Sequence, residues 1–310
     1  MLAFYSDHFV LPLPPGHRFP MSKYRALRER VAAELPGLRL AEPEAASAGE
    51  LALAHDPDYI DRVFAGRLDA REQRVIGFPW SAPMVERSRR STGATIAACR
   101  RAIAEGVAVN LAGGTHHAHR DHGQGYCVFN DAAVAARLMQ AEQGRLRRAP
   151  LDVAIVDLDV HQGNGTATIL AHDPSVFTLS IHGATNFPFR KEASDLDVAL
   201  PEGTGDDAYL EALDRALAQM TSRVSPGLLI YVSGADAHEG DRLGKLRLTR
   251  DGLRERDRRV FAFAESIGAP IAVTMAGGYG NDIAVTVDVH VNTVTEALAL
   301  WRRLGARIGA

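Results

Sequence analysis

The sequence predicts an α/β fold in which an open, mainly parallel β-sheet carries helices on both faces. Short apolar segments of strand length alternate along the chain with segments whose apolar residues recur every three or four positions, as they do in helices. The strand-like segments are apolar almost without interruption, which is typical of strands buried on both faces of a parallel sheet. Repeats, low-complexity tracts and long linkers are absent from the 310 residues, so one continuous unit is expected.

The individual strands and helices can be placed in chain order. Strands are predicted at residues 107–111, 153–156, 176–181, 228–232 and 271–275. Helices are predicted at residues 24–35, 84–105, 210–224 and 294–301. Apolar stripes at helical spacing mark the first, third and fourth of these helices. Pro36 and Gly37 end the first helix, whereas Gly93 weakens the prediction of the second.

Composition and charge narrow the class of protein. The formal net charge is −3, so neither nucleic acid nor a membrane surface is an expected partner. The two cysteines, Cys99 and Cys127, form no C-x-x-C motif and no disulfide framework, which favours a reducing compartment. The N-terminus lacks the pattern of a signal peptide, and no apolar run approaches the ~18 residues that span a bilayer. These observations predict a soluble, cytoplasmic protein.

Polar residues able to do metal or acid–base chemistry follow the predicted strands. The carboxyl ends of parallel strands meet at one edge of a sheet, and ligands of open α/β sheets bind there. The segments that follow the strands are residues 113–117, 157–161, 180–182, 233–236 and 276–280. Because most of them combine glycine with a histidine, aspartate or tyrosine, their convergence predicts the functional site at this edge.

A metal site is predicted where the strand at residues 153–156 ends. Asp157, Asp159 and His161 follow at a spacing of two, which in extended backbone points all three to one side. Unpaired buried charge is costly, and mixed oxygen and nitrogen ligands suit zinc. We predict Asp159, His161 and Asp236 as the ligands, with a fourth position open for water and substrate. The alternative is an ion pair between Asp159 and His161, with Asp236 as a helix N-cap.

His116 and His117 are the candidate acid–base residues. Asp157 lies one strand repeat before the predicted ligand Asp159, which suits a carboxylate that orients one histidine, and Asn164 can orient the other as a neutral acceptor. A histidine held by a carboxylate has a raised pKa, so the two rings should differ in charge at neutral pH. Three other histidines are expected to be core or surface residues: His119, His122 and His172.

Tyr279 lies in a glycine-rich turn, where its hydroxyl could donate a hydrogen bond to a developing oxyanion. The alternative is a core aromatic residue at a strand end. Other reaction classes are disfavoured, because the chain has no G-x-S-x-G nucleophile elbow, no P-loop and no dinucleotide-binding glycine motif. Cys127 is conceivable as a nucleophile, but its neighbours Tyr126 and Phe129 indicate an apolar wall instead.

Together these residues resemble the histone deacetylase family, within the arginase/deacetylase-like fold. The matching segments are residues 113–118, 125–131, 157–165, 234–236 with 240–241, and 277–279. Residues 15–20 and 55–59 also look like N-terminal segments of the family. The D-V-H-Q-G-N-G run at residues 159–165 and E-G-D-R-L-G at residues 239–244 resemble the class IV branch and its bacterial relatives. The resemblance spans nearly the whole chain and implies a single catalytic domain, residues 1–310.

The resemblance implies a role for each matching side chain. Zinc would bind the three predicted ligands, although two carboxylates among them also make Fe²⁺ or Mn²⁺ credible. His117 would be the general base and acid, and His116 an electrostatic partner held by Asp157. Asn164 stands where many relatives carry aspartate, so His117 should be less basic here. Tyr279 would help to polarise the scissile carbonyl.

The resemblance also implies contacts with the substrate and with a second ion. Gly125 and Tyr126 would line a tunnel for an acyl-lysine side chain. A monovalent cation such as K⁺ would lie near Asp157, Asp159, His161, Ser180 and Ile181. Many relatives carry an acidic residue before the first long helix, where it grips the substrate backbone, whereas residues 76–83 contain no carboxylate. An apolar loop there could favour a longer acyl chain or a small substrate.

The sequence therefore predicts a metal-dependent amidohydrolase that removes an acetyl or longer acyl group from acyl-lysine in a peptide or protein, or from a small acylated amine. One alternative is a ureohydrolase of the same fold with a two-manganese site, which residues 162–164 disfavour because they supply no bridging carboxylate. Another is a noncatalytic module that binds acyl-lysine, which the presence of every catalytic residue disfavours. The acyl chain length and the oligomeric state are left open by the sequence.

Overall fold

The computed structural model describes residues 1–147 and 150–308, and an eight-stranded sheet lies at its centre. The strands are β1 Leu2–Phe4, β2 Arg39–Ala41, β3 Val107–Asn110, β4 Val153–Asp157, β5 Val176–Gly183, β6 Leu196–Leu200, β7 Leu228–Ser233 and β8 Ile271–Met275. Their order across the sheet is β2-β1-β3-β8-β7-β4-β5-β6, and all neighbours are parallel. The predicted open parallel sheet is confirmed.

Helices cover both faces of this sheet, as predicted. They are α1 Ser22–Glu34, α2 Ala48–Leu51, α3 Pro57–Phe64, α4 Ala70–Ile76, α5 Ala82–Glu105, α6 Asp131–Arg147, α7 Asn164–Leu170, α8 Asp206–Thr221, α9 Arg250–Ser266 and α10 Ile283–Ile308. Helices α1, α8, α9 and α10 contribute to the hydrophobic core on one face, and α2 to α7 to the core on the other. The predicted domain, residues 1–310, also includes residues 148–149 and 309–310, which lie outside the described residues, and its extent stays a prediction.

The five strands predicted from apolar runs are the longer, buried ones, while β1, β2 and β6 escape the sequence pattern. β1 and β2 have three residues each, too few to show a periodicity. β6 is at the edge of the sheet and alternates between partly buried and exposed residues over most of its length. An edge strand with one wetted face is not apolar throughout, so a search for continuous apolar runs misses it.

Gly93 lies in the middle of the long helix α5 without interrupting it. A Cβ atom at this position would come within 1.9 Å of the carbonyl oxygen of Glu44. The glycine therefore lets the segment before α2 pass close to the helix, and the cost in helix propensity is accepted for that contact. Helix α5 begins at the N-cap Ser81, whose side chain accepts from the Met84 N–H.

Helix α10 corrects the expectation that no segment is apolar enough to span a bilayer. Within the described chain, Ile283–Ala306 is the one helical segment that could cross a membrane by length and composition, with a mean hydropathy of 1.3. Asp288 and His290 interrupt the continuous apolar run, but the mean hydropathy of the segment is still high enough for a membrane-spanning helix. In the fold 56% of its most apolar stretch is buried, and the helix packs on α1 and α9 as a core element.

Candidate active site

Loops at the carboxyl ends of four central strands converge on one region. Strands β3, β8, β7 and β4 are consecutive neighbours, so the segments that follow them lie side by side. These segments are residues 111–117, 276–279, 234–236 and 158–164. They carry almost all of the predicted catalytic and metal-binding side chains, every one of which is buried.

The turn after β4 differs from the geometry that the spacing predicts. The strand ends at Asp157, so Asp159 and His161 are not in extended backbone. Asp157 Oδ1 accepts from the Asp159 N–H at 3.1 Å, and Asp159 Oδ1 accepts from the His161 N–H at 2.9 Å. Two successive aspartate turns bring the side chains together by another route. Strand β5, by contrast, is longer than predicted and ends at residue 183. Residues 180–182 therefore lie within the strand and not after it.

Asp159, His161 and Asp236, called the metal group below, form the one cluster in the described chain that could hold a metal ion through three aspartate, glutamate, histidine or cysteine side chains. Their candidate ligand atoms all lie within 4.8 Å of one another. His161 Nδ1 is 3.0 Å from Asp159 Oδ1 and 3.2 Å from Asp236 Oδ2. Two carboxylates and one imidazole suit Zn²⁺ and other divalent first-row metals.

The electrostatics of the metal group favour a cation. Burial raises the pKa of Asp236 to about 7, and the charge of Asp159 adds to this rise. Burial opposes a charge on His161, but hydrogen bonds to the two aspartates outweigh burial and raise its pKa to about 10. The two buried carboxylates therefore need a compensating positive charge, which the proton on His161 supplies here and which a divalent cation could supply in its place.

Glycine residues allow the backbone to approach the two carboxylates. The Gly277 N–H donates to Asp159 Oδ2 at 2.7 Å, and the Val160 N–H donates to Asp236 Oδ1 at 3.0 Å. A Cβ atom at Gly277 would lie 1.8 Å from Asp236 Oδ2, and one at Gly234 would lie 2.7 Å from Asp159 Oδ2. Any larger residue at these positions would displace a member of the metal group.

The adjacent His116 and His117 have ring centroids 4.1 Å apart, and each has its own partner. His116 Nδ1 lies 2.6 Å from Asp157 Oδ2, and His117 Nδ1 lies 2.7 Å from Asn164 Oδ1. Burial disfavours charge on His116, but the carboxylates of Asp157 and Asp159 outweigh it and raise the pKa to about 9. Burial, followed by the charge of His116, holds the pKa of His117 well below its usual 6.5.

Asn164 is fixed from two sides, and its orientation sets the tautomer of His117. Its Nδ2 donates to Gln124 Oε1 at 2.8 Å and lies 2.9 Å from His119 Nε2. Its Oδ1 therefore faces His117, so Nδ1 of that ring carries the hydrogen and Nε2 is free to accept a proton. His119, which the sequence assigns to the core or surface, thus supports a site residue.

Two buried residues at the start of α6 hold the loop that carries the tandem histidines. Asp131 Oδ1 accepts from the Thr115 N–H at 2.8 Å, and its Oδ2 accepts from the Gly114 N–H at 3.0 Å. Asn130 Nδ2 donates to the carbonyl oxygen of His116 at 3.3 Å. These side chains satisfy loop backbone groups that no strand or helix would satisfy, so they fix the conformation of the loop.

His55, in the N-terminal segment that resembles the family, supports the same loop from behind. Its Nδ1 donates to the carbonyl oxygen of His119 at 2.9 Å, and its Nε2 accepts from the Asn130 N–H at 2.9 Å. Both bonds together require the neutral ring. Burial lowers the pKa of His55 to about 4, which keeps the ring in that form.

The backbone of Tyr279 is clamped while its hydroxyl stays free. Asp241 Oδ2 accepts from the Tyr279 N–H at 2.6 Å, and Arg242 Nε donates to the Tyr279 carbonyl at 2.7 Å. The buried Lys23 donates to the Ala276 carbonyl at 2.9 Å, and its Nζ lies 5.5 Å from the Tyr279 ring centroid. Among described residues the hydroxyl has no hydrogen-bond partner, so it can donate to a ligand. The sequence gives no signal for Lys23.

A second buried cation, Arg256, lies behind the metal group. It is fully buried and pairs with Asp257 at 2.8 Å. Its Nη1 donates to the carbonyl oxygens of Gly234 at 2.7 Å and Leu158 at 3.3 Å. These carbonyls belong to the two loops that carry the metal group, so Arg256 joins the loops from beneath. Nothing in the spacing around residue 256 marks this role, because the acceptors on the two loops are backbone carbonyls.

A cavity of about 570 Å³ extends outward from His117, His161 and Tyr279 and is called the mouth cavity below. Further lining residues that matter here are Arg74, Val75, Gly125, Tyr126, Phe187, Phe189 and Lys245. The predicted tunnel residues Gly125 and Tyr126 thus lie on its wall. Phe187, which the sequence analysis misses, stands opposite with its ring centroid 5.0 Å from that of His117. It lies in an irregular loop that has no periodicity to mark it.

Two other predictions concern Cys127 and the monovalent cation. Burial raises the pKa of the Cys127 thiol, which makes it a poor nucleophile. Ser180 is paired with Asp157 in the register of β4 and β5, and its Oγ lies 3.0 Å from His182 Nδ1. The set of residues expected around a monovalent cation, including Ile181 on the same strand, stays a prediction.

Comparison with known proteins identifies relatives over most of the chain. The sequence model of the histone deacetylase domain matches residues 17–294. An uncharacterized protein of Picosynechococcus is 43% identical over 288 residues, covering 92% of this chain and 94% of that protein. Histone deacetylase 2 of Arabidopsis thaliana is 32% identical over 274 residues, covering 85% and 70%.

A bacterial relative and a solved structure extend this likeness. The histone deacetylase-like amidohydrolase of Pseudomonas aeruginosa is 33% identical over 262 residues, which cover 78% of this chain and 66% of that protein. The crystal structure of the HDA15 HD domain matches with a TM-score of 0.79 at 23% identity, covering 96% of this chain and 91% of that one. At this identity the structural match supports the fold.

Proposed function

The chain belongs to the histone deacetylase family, and from this premise we propose that it is a metal-dependent deacylase that hydrolyses acyl-lysine or a related acylated amine. One observation carries the proposal: the buried metal group lies beside a histidine with a free Nε2 and a tyrosine with a free hydroxyl. A Lewis acid, a base and an oxyanion donor around one cavity are what amide hydrolysis needs.

Asp159, His161 and Asp236 would hold the metal ion, for which we propose zinc, with Fe²⁺ or Mn²⁺ as substitutes in the cell. A divalent ion bound there lowers the pKa of a water ligand toward ~7 and polarises the amide carbonyl. Three protein ligands leave room for these groups, as in catalytic rather than structural sites.

His117 is the proposed proton carrier. Its Nδ1 hydrogen is fixed on Asn164, so Nε2 takes the proton of the attacking water and then returns it to the leaving nitrogen. His116, whose raised pKa reflects its contact with Asp157, carries positive charge next to the reacting groups and favours the negative tetrahedral intermediate. The products are a carboxylate and a free amine.

Tyr279 is the proposed oxyanion donor. Its backbone is held by Asp241 and Arg242, so the hydroxyl can be oriented before the substrate arrives. Gly125, Tyr126 and Phe187 would enclose the alkyl stem of the acylated amine in the mouth cavity.

Several finer features of the proposal follow from the sequence resemblance. We propose that the chain is a class IV-like member with one catalytic domain over residues 1–310 and that it acts in the cytoplasm. K⁺ would bind near Asp157 and Ser180, which are in register on neighbouring strands. An acylated protein, peptide or small amine is the expected partner, whereas nucleic acid is not.

Two other functions predict different results. A two-manganese ureohydrolase needs a second set of carboxylates, and residues 162–164, which follow His161, supply none. A noncatalytic acyl-lysine module would use the same cavity without turnover. The single three-residue metal group among the described residues favours the deacylase over the first of these.

The test is hydrolysis of fluorogenic acyl-lysine peptides of increasing acyl length, and of acylated diamines, by the purified full chain. We expect activity that a chelator removes and that Zn²⁺, Fe²⁺ or Mn²⁺ restores at about one ion per chain. Peptide binding without turnover under every metal would instead support the binding module. Urea release from guanidino compounds with two bound ions would support the ureohydrolase.

A further inference from the structure

The charges around the mouth cavity are of one sign. Its lining contains two cationic side chains, Arg74 and Lys245, and among the described residues no aspartate or glutamate lines it. The other lining side chains that matter for a substrate stem are apolar, including Phe189, which is 89% exposed, and Val75, which is 40% exposed. A ligand in this cavity therefore contacts both apolar surface and positive charge.

The two cations are not equivalent. Lys245 Nζ is 2.5 Å from Glu202 and 3.2 Å from Thr185 Oγ1, so an acid outside the cavity balances its charge. Arg74 makes no hydrogen bond or ion pair with any described residue. Glu72, two residues before it, is already paired with Arg62 at 3.0 Å. Arg74 is thus the cation at the cavity rim that lacks a direct hydrogen-bond or ion-pair partner among the described residues.

Asp69 lies at the N-terminus of the same helix. Backbone hydrogen bonds lower its pKa, and the charges of Arg71 and Arg74 add to this effect. Its Oδ1 accepts from the N–H groups of Arg71 and Glu72, at 2.7 Å and 2.8 Å, as the N-cap of α4. A capping carboxylate that is held in this way cannot turn toward the far end of the helix. The guanidinium of Arg74 is left to solvent or to a ligand.

The backbone that carries Arg74 is tied to the cavity wall. The Val75 carbonyl accepts from the Gly125 N–H at 3.0 Å, and the Ile76 carbonyl accepts from the Tyr126 N–H at 2.6 Å. The Gly77 carbonyl lies 2.9 Å from His17 Nε2. These contacts fix the last turn of α4 beside the predicted tunnel. A charge on the amine side of a bound substrate would therefore come near Arg74.

We propose that the enzyme prefers substrates that carry a negative charge just beyond the alkyl stem of the acylated amine, and that Arg74 is the residue that determines this preference. The inference rests on the deacylase function proposed above. An exposed ion pair contributes about 0.2–1 kcal/mol, and the upper part of this range corresponds to roughly a two- to fivefold change in kcat/KM. A cleft with one sign of charge also attracts anions from solution and repels cations such as polyamines.

The test uses three acetyl-lysine peptides that differ only in the residue next to the acetyl-lysine, which is glutamate, glutamine or lysine. We expect kcat/KM to fall in that order, by about two- to fivefold per step at low salt, with the differences shrinking as ionic strength rises. In Arg74→Gln the glutamate and glutamine peptides should become nearly equal. Arg71→Gln is the matched control, because Arg71 is exposed on the same helix but does not line the cavity.

The outcomes separate this inference from the function on which it rests. If the glutamine peptide is hydrolysed and the order of the three peptides is flat or reversed, the preference for an anion is wrong. If the order persists in Arg74→Gln, or collapses equally in Arg71→Gln, Arg74 is not its source. If no peptide is hydrolysed with any of the metals while each still binds, the deacylase function itself fails.

Discussion

The buried centre, which is the metal group together with His117 and Tyr279, differs in construction from the adjacent mouth cavity. Asp159 is 1% exposed and Asp236 is fully buried, and backbone N–H groups and His161 hold their carboxylates. At the mouth Phe189 is 89% exposed, and Arg74 has no partner among the described residues. The centre is a closed network of buried hydrogen bonds, whereas the mouth consists of exposed side chains on loops and on the last turn of α4.

This difference separates reactivity from selectivity. Strand ends and buried supports fix the groups that break the amide bond, because a small displacement there costs much of the rate. Side chains at the rim can change without disturbing that network, so we expect them to set substrate preference. Substitutions in the centre should therefore affect metal binding and kcat, and substitutions at the mouth should affect KM.

The largest effect is expected from Asp236→Asn, which removes one charged metal ligand at nearly constant volume. Metal content by elemental analysis should fall to background and activity should be lost, by more than the ~10–100-fold that the loss of a supporting hydrogen bond costs. Asp152→Asn, at an exposed position, should retain both. Full metal occupancy in Asp236→Asn would remove Asp236 from the set of ligands.

Tyr279→Phe should lower kcat by about 10²–10³-fold, because the lost hydroxyl is the proposed oxyanion donor, while KM changes little. Tyr24→Phe is a suitable control, since its ring also lies near Lys23 Nζ, at 5.2 Å, but does not line the mouth cavity. Steady-state kinetics on one acyl-lysine peptide is sufficient. An unchanged kcat in Tyr279→Phe would show that the donor is elsewhere and that the centre is not the closed unit described here.

The metal group could be predicted from the sequence because two general features of parallel sheets mark its position. Parallel strands end at one edge, and the glycines after β7 and β8 mark the places where backbone approaches a charged group. Asp159, His161 and Asp236 converge as predicted, but Asp159 and His161 lie in aspartate turns and not in the predicted extended backbone. A spacing of two residues fits both geometries.

What the sequence could not predict has a common physical cause. Lys23 and Arg256 are buried cations whose acceptors include main-chain carbonyls, and carbonyl positions follow from the tertiary fold alone. Phe187 lies in an irregular loop and Arg74 in the last turn of α4, and contacts that are distant in sequence bring both to the rim. The family resemblance includes the segment that contains His55, but it does not indicate what this side chain does. His55 forms hydrogen bonds with two backbone groups of another loop.

The support from His55 should appear in the pH dependence of stability. Its folded pKa is about 4 against 6.5 in the unfolded chain, because burial disfavours the charged ring. The stabilisation is complete above pH 6.5 and is lost as the pH falls toward 4, because only the unfolded state binds the proton in this window. Between pH 7 and pH 5 the wild type should lose roughly 2 kcal/mol more unfolding free energy than His55→Gln does.

Urea denaturation at the two pH values measures this difference. His172→Gln, at an exposed position, is the control and should follow the wild type. If the wild type and His55→Gln lose equal unfolding free energy between pH 7 and pH 5, His55 is not held neutral. The loop with the tandem histidines would then lack one of its proposed supports.

The smallest effect is expected at the mouth, from Phe187→Ala. The ring packs edge-on against His117, but Asn164 and not Phe187 orients that histidine. An aromatic contact contributes about 0.5–1.5 kcal/mol, so KM should rise roughly two- to tenfold while kcat stays near its original value. Phe189→Ala should change KM less, since that ring is almost fully exposed. A fall in kcat as large as that of Tyr279→Phe would place Phe187 in the catalytic network. Phe187 would then belong to the centre and not to the mouth, and the boundary between the two would lie closer to the protein surface.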